Sequence, residues 1–172
     1  TNSGFYVGGN TASTDLPRTT GGAQPVTGGA QDAFVSLIPI GGTVTGFQST
    51  YLGGAVDDTM GGVAVDTVNG RLAVFGTTAG AFPTLNSSPS GNYFDSSAGG
   101  GLDIFIAFFD PNLLTAAKQY ATFIGGTGND YLGATGALLG QGHVYFSPST
   151  GLFYLGTTSH SVLDSGSDVG QA

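Results

Sequence analysis

The sequence predicts an all-β fold made of four-stranded antiparallel sheets. Three observations carry that expectation. Glu is absent and Lys nearly so: Arg18, Arg71 and Lys118 are the basic residues, and all eleven acidic residues are Asp. Gly supplies 32 of 172 residues, and Thr, Ser, Val, Phe and Tyr are plentiful, a composition of strands joined by turns rather than of helices. No segment sustains the helical apolar period of about 3.6 residues, whereas short β-branched and aromatic runs recur between Gly-, Asn- and Pro-rich breaks.

The runs are justified in chain order. "GFYVGGNTAS" begins at Gly4 and reads as a strand. "DAFVSLIP" (Asp32 to Pro39) and "FQSTYLGG" (Phe47 to Gly54) supply two more. Four follow: Val63–Asp66, Leu72–Thr77, Ile104–Phe109 and Lys118–Ile124, each of ordinary strand length. Between the first two of these, "DTVNGR" carries Asn69-Gly70, the strongest short hairpin signal. "GHVYFSPSTGLFYLG" then offers a last pair. The long polar stretch from Thr78 to Gly101 is a loop of the kind that serves as a functional surface or an ornament.

Several runs are copies of one another. "DAFVSLIP" matches "DIFIAFFDP" at an offset of 71, and "FQSTYLGG" matches "QYATFIGG" at 72. "GVAVDTVNGRLAVFGTTA" matches "GHVYFSPSTGLFYLGTTS" at 80, which implies an insertion of about eight residues near 127–141. The opening strand echoes Arg71 to Gly80. The expected organisation is the tail of a preceding repeat at 1–31, one blade-type repeat at 32–102, and a second at 103–172. Counted as four strands per repeat, the chain holds the second, third and fourth, then all four, then the first and second. Four antiparallel strands per repeat is the blade of a β-propeller. A ring needs about four to eight blades, so it is incomplete within this chain.

"DAFVSLIP…STYLGG…DD…GGVAVDTVNGRLAVFGTT…FPT" resembles the bacterial β-propeller repeat called SBBP. That pattern runs D-x-F-V, S-T-Y-L-G-G, G-D-D, I-A-V-D, G-N-x-Y-V-x-G and T-x-S-x-D-F-P. The resemblance covers most of the chain. It departs in the last repeat, where Pro148 and Ser149 occupy the turn and Ser147 replaces the Asp of "AVD". It implies propeller blades in a large secreted or surface-attached protein, a family with few assigned activities.

"GGTGNDYLG", from Gly125, fills a calcium-binding nonapeptide with Asp130 at the acid position. Its relative "GGAVDDTMG" begins at Gly53, 72 residues away rather than nine. A tandem β-helix is therefore not expected, and the turn reads as a blade-to-blade connection whose Asp caps the loop backbone. A calcium ion, if one binds, would draw on Asp57, Asp58, Asn129 and Asp130 with backbone carbonyls, since calcium takes six to eight oxygens. No other cofactor is expected.

Catalytic candidates are thin. His143 falls at a strand start, aligned with Val63, and His160 lies in Ser/Thr-rich sequence with Ser161 and Asp164, without the strand–elbow–helix setting of a nucleophile. Asp57-Asp58 become Asn129-Asp130 in the second copy, which argues against a shared carboxylate chemistry. Tyr93, Phe94 and Tyr131 are candidate sugar contacts, and Asn86 opens an N-x-S sequon. A net charge of −8 and a pI near 4.1 disfavour nucleic acid and anionic membranes. Without cysteine there are no disulfides or thiolate metal sites, and no apolar run reaches membrane-spanning length. The expectation is a non-enzymatic, secreted or cell-surface propeller-repeat protein with a structural, adhesive or assembly role. Its partners would be copies of itself or the rest of a longer chain. A carbohydrate-binding module that takes glycans is the alternative, and part of a secreted hydrolase a weaker one.

Overall fold

The computed structural model describes residues 4–41, 46–83, 95–113, 118–130 and 143–156. Among them are nine strands and no α-helix: β1 (Gly4–Thr11), β2 (Asp32–Pro39), β3 (Gln48–Leu52), β4 (Asp58–Asp66), β5 (Arg71–Thr78), β6 (Asp103–Phe109), β7 (Lys118–Ile124), β8 (His143–Ser147) and β9 (Leu152–Gly156). They form three antiparallel meanders, β1-β2-β3, β4-β5-β6-β7 and β8-β9. The all-β expectation holds, and so does the grouping of strands into three, four and two. Among the described residues the sheets do not close into a ring.

Side-chain alternation explains how the sheets stack. Leu72 and Val74 of β5 stand on the same face as Phe105 and Phe109 of β6, and all four are 0% exposed. They share a core with Ala33, Val35 and Leu52 of the first sheet, against which Tyr6 and Leu37 also pack. The opposite face of the middle sheet carries Phe75, Ile104, Ile106 and Ile124, which pack with Val144 and Leu155 of the last sheet. The middle sheet is thus covered on both sides. Full burial of each large apolar side chain is worth about 1.5–3 kcal/mol, so these two layers are what hold three small meanders together.

Aromatic contacts reinforce both layers. Phe82 stacks on Phe105 with ring centroids 4.1 Å apart and meets Phe123 edge-on. Arg71 forms a 2.7 Å ion pair with Asp66, and its guanidinium lies over the rings of Phe108 and Phe153, joining the middle and last sheets.

The hairpin register corrects one alignment. Gly70 and Gly151 take φ of 65° and 71° in corresponding turns, a spacing of 81 rather than 80. Pairing agrees: Val63 faces Val74 as Val144 faces Leu155, and Asp66 faces Arg71 as Ser147 faces Leu152. Val144, not His143, is therefore the counterpart of Val63. The sequence match at 80 was anchored on "GTT" beyond the strand. β9 is one residue shorter than β5 between its turn glycine and that tripeptide.

Candidate functional site

The segment leading into β2 is fastened to the end of β3, and the same fastening recurs one repeat later. In the first copy Tyr51 donates its N–H to the Gln24 carbonyl at 2.9 Å, and Gln24 donates its own to Thr50 Oγ1 at 2.7 Å. In the second, Phe123 donates to the Asp95 carbonyl at 3.1 Å, and Asp95 to Thr122 Oγ1 at 2.8 Å. Further along, Gln31 donates to Asp57 Oδ1 while its carbonyl accepts from Asp58 N–H. Leu102 donates to Asn129 Oδ1 while its carbonyl accepts from Asp130 N–H. Asp57 and Asn129, expected as calcium ligands, are thus matching latches. This duty asks only for an acceptor oxygen, which explains why Asp and Asn interchange.

Behind each latch lies a pair of buried carboxylates. Asp32, Asp58 and Asp103 are fully buried and Asp130 nearly so. Asp32 Oδ2 accepts from Gly28 N–H and Asp58 Oδ2 from Gly54 N–H, both at 2.7 Å. Asp130 Oδ2 accepts from Gly126 N–H at 2.8 Å. The paired Asp are close: Asp32 Oδ1 and Asp58 Oδ2 both crowd the point where a Cβ on Gly53 would sit, the latter at 2.7 Å. Asp103 Oδ1 crowds the equivalent point on Gly125. Glycine is required at both places because a carboxylate occupies the space of a side chain.

These clasps are electrostatically strained. Among the described residues, the buried Asp32 Oδ1, Asp58 Oδ1 and Asp103 Oδ1 have no hydrogen-bond partner, a costly state for a carboxylate oxygen. Burial pushes Asp58 up to about 6. Hydrogen bonds from Thr78 and Gly54 oppose this, and the Asp32 and Asp57 carboxylates add to it. Asp103 is also raised, first by burial and then by the Asp130 and Asp95 carboxylates, against the Gly100 and Gly99 N–H groups. The hairpin carboxylate behaves oppositely. Burial raises Asp66, but donors on Asn69, Arg71 and Val68 outweigh it and hold the group down to about 2.

The four expected metal ligands are therefore split between two clasps, Asp57 with Asp58 and Asn129 with Asp130. The buried partners that sequence reading missed are Asp32 and Asp103. A signal for them exists: Gly-x-x-x-Asp recurs as Gly28–Asp32, Gly54–Asp58, Gly99–Asp103 and Gly126–Asp130. Among the described residues no group of three or more Asp, Glu, His or Cys gathers around one point. His143 opens β8 opposite Gly156. Tyr93, Phe94, Tyr131, Asn86, His160, Ser161 and Asp164 lie outside the described residues. A cavity of about 220 Å³ opens beside Tyr6, Leu37, Pro39 and Pro111, where the Tyr6 hydroxyl donates to the Pro111 carbonyl at 2.7 Å.

The outer surfaces of the stack form a second feature. On the first sheet Phe5 is 49% and Val7 38% exposed; on the last, Tyr145, Leu152 and Tyr154 are 62%, 57% and 50% exposed. No protein-family model matches the chain, and no curated protein matches it significantly in sequence.

Proposed function

We propose that the three sheets are propeller-type blades and that the chain is a non-enzymatic, extracellular structural protein that works by assembly. One observation carries this reading. The segment entering an inner strand is latched twice, with the same hydrogen bonds, to the turn that follows the next strand, yet among the described residues the stack ends on both sides in exposed apolar surface. A repeated contact with unspent faces is the arrangement of a unit meant to be continued. Open edges point the same way: among the described residues β1 pairs with β2 alone and β9 with β8 alone, and unpaired edges invite further strands. The resemblance to propeller repeats of surface proteins supports the extracellular assignment.

The test is the mass of the chain in solution by light scattering, with far-UV circular dichroism alongside. A folded small oligomer would indicate ring closure between copies, and long polymers a filament or surface layer. A folded chain that stays monomeric at millimolar concentration would sink the assembly role.

A further inference from the structure

The two exposed faces are the two halves of one contact, and the geometry points to a second copy of this chain as their occupant, docked head to tail. This inference rests on the assembly reading and names its surfaces. The residues on the outer face of the first sheet are Phe5, Val7, Phe34 and Ile38, paired as Phe5 with Ile38 and Gly9 with Phe34. Strand pairing makes these the counterparts of Leu72, Val74, Phe105 and Phe109, because Thr11 pairs with Asp32 as Thr78 pairs with Asp103. In the middle sheet all four counterparts are 0% exposed, in the core shared with the first sheet. In the first sheet the same four positions are still apolar, but Phe5 and Val7 are open to solvent. Residues 13–16 are tied to the β3 side, where the Tyr51 hydroxyl donates to the Ser13 carbonyl and accepts from Leu16 N–H.

The last sheet offers the complementary half. Tyr154 corresponds through Ala73 to Tyr6, since β9, β5 and β1 share one register. Tyr6 is one of the residues with which the first sheet grips the middle one, through its hydrogen bond to the Pro111 carbonyl. The counterpart of Pro111 on the first sheet is Ile40, itself 62% exposed. In the head-to-tail contact the Tyr154 hydroxyl of one copy donates to the Ile40 carbonyl of the next, while Tyr145 and Leu152 cover Phe5 and Val7. The two faces cannot meet within one chain, because the middle sheet lies between them with both its own faces packed. Such a contact is heterologous and propagates to rings or filaments rather than stopping at a dimer.

Two double variants of the full chain test this: Phe5→Asp with Val7→Asp, and Tyr145→Asp with Tyr154→Asp. Each places charge on a solvent-exposed position, and circular dichroism checks that the fold survives. Sedimentation velocity should show that each alone loses self-association by more than about thirtyfold. Mixed together, they should form a 1:1 complex and go no further, since each retains the half that the other lacks. Wild type that assembles while either variant assembles equally well overturns the proposal and leaves the assembly reading standing. Variants that both block assembly yet fail to complement overturn the head-to-tail pairing. Wild type that remains a folded monomer overturns the proposal and the reading together. Should a double variant unfold, Tyr154→Phe decides: it removes one exposed hydroxyl and should weaken association about fivefold, and an unchanged affinity rules out the Ile40 contact.

Discussion

Asp58→Asn should stabilise the fold at neutral pH, although it alters a fully buried, hydrogen-bonded side chain. Asp58 is pushed up to about 6 in the folded chain, whereas an unfolded Asp titrates near about 3.9. Between those values the folded chain holds a proton that the unfolded chain has released. Stability from this group is therefore greatest below about pH 4, falls as the pH rises to about 6, and stays low above it. A shift of about two pH units corresponds to about 2–3 kcal/mol. Asn keeps an acceptor for the Gly54 N–H and brings no negative charge beside the Asp32 and Asp57 carboxylates. Urea unfolding at about pH 4.5 and about pH 8 measures the effect, in a Tyr154→Asp background so that association does not contribute. The wild-type residue should lose about 2 kcal/mol between the two conditions, and Asn markedly less. Asp103, raised in the same direction, remains in both proteins and so cancels in the comparison. An Asn variant that is less stable by the same amount at both pH values would refute the reasoning, because Asp58 would then be a hydrogen-bond acceptor without a strained charge.

Gly53→Ala drives a methyl group into Asp32 and Asp58 and should cost about 2 kcal/mol or more in thermal unfolding, whereas Gly46→Ala, whose Cβ meets only the Pro39 ring at 3.4 Å, should be near neutral. Phe105→Ala removes the ring on which Phe82 stacks, at a site 0% exposed, and should cost about 3–5 kcal/mol in urea unfolding. Val68→Ala at an exposed turn position should change stability by less than about 0.5 kcal/mol. Asp66, held down to about 2, contributes stability that is present above about pH 4 and lost as pH falls toward 2; its carboxyl carbon should titrate in NMR with a midpoint near about 2.

The strands were legible because local chemistry decides them. Asn69-Gly70 requires a tight turn, and Gly70 takes the left-handed conformation that the hairpin needs. The alternation in "LAVF" and "IFIAFF" fixes which side chains share a face, and that is enough to place Leu72, Val74, Phe105 and Phe109 in one layer. The register of the last hairpin was not legible. Deleting one residue from a strand moves the pairing without disturbing the motif on either side, and sequence similarity follows the motif. β-strand register is set by the turn, so Gly151 rather than "GTT" decides that His143 lies opposite Gly156.

The clasp was half legible for a related reason. Asp57, Asp58, Asn129 and Asp130 sit in a recognisable turn, but their partners enter from about 26 residues away, at Gln31 with Asp32 and at Leu102 with Asp103. Composition accounts for what the turn motif could not. With three basic residues against eleven Asp, the chain has few side-chain cations for its buried carboxylates. It uses backbone N–H groups instead, from Gly28, Gly54 and Gly126, and at Gly28 and Gly54 a backbone carbonyl fills the space where a side chain would begin. A short acid is needed to reach an N–H four residues back within so tight a turn, which favours Asp over the longer Glu. Part of the abundance of Gly and of the exclusive use of Asp is then one fact rather than two: turns in which a glycine N–H holds a buried carboxylate four residues on.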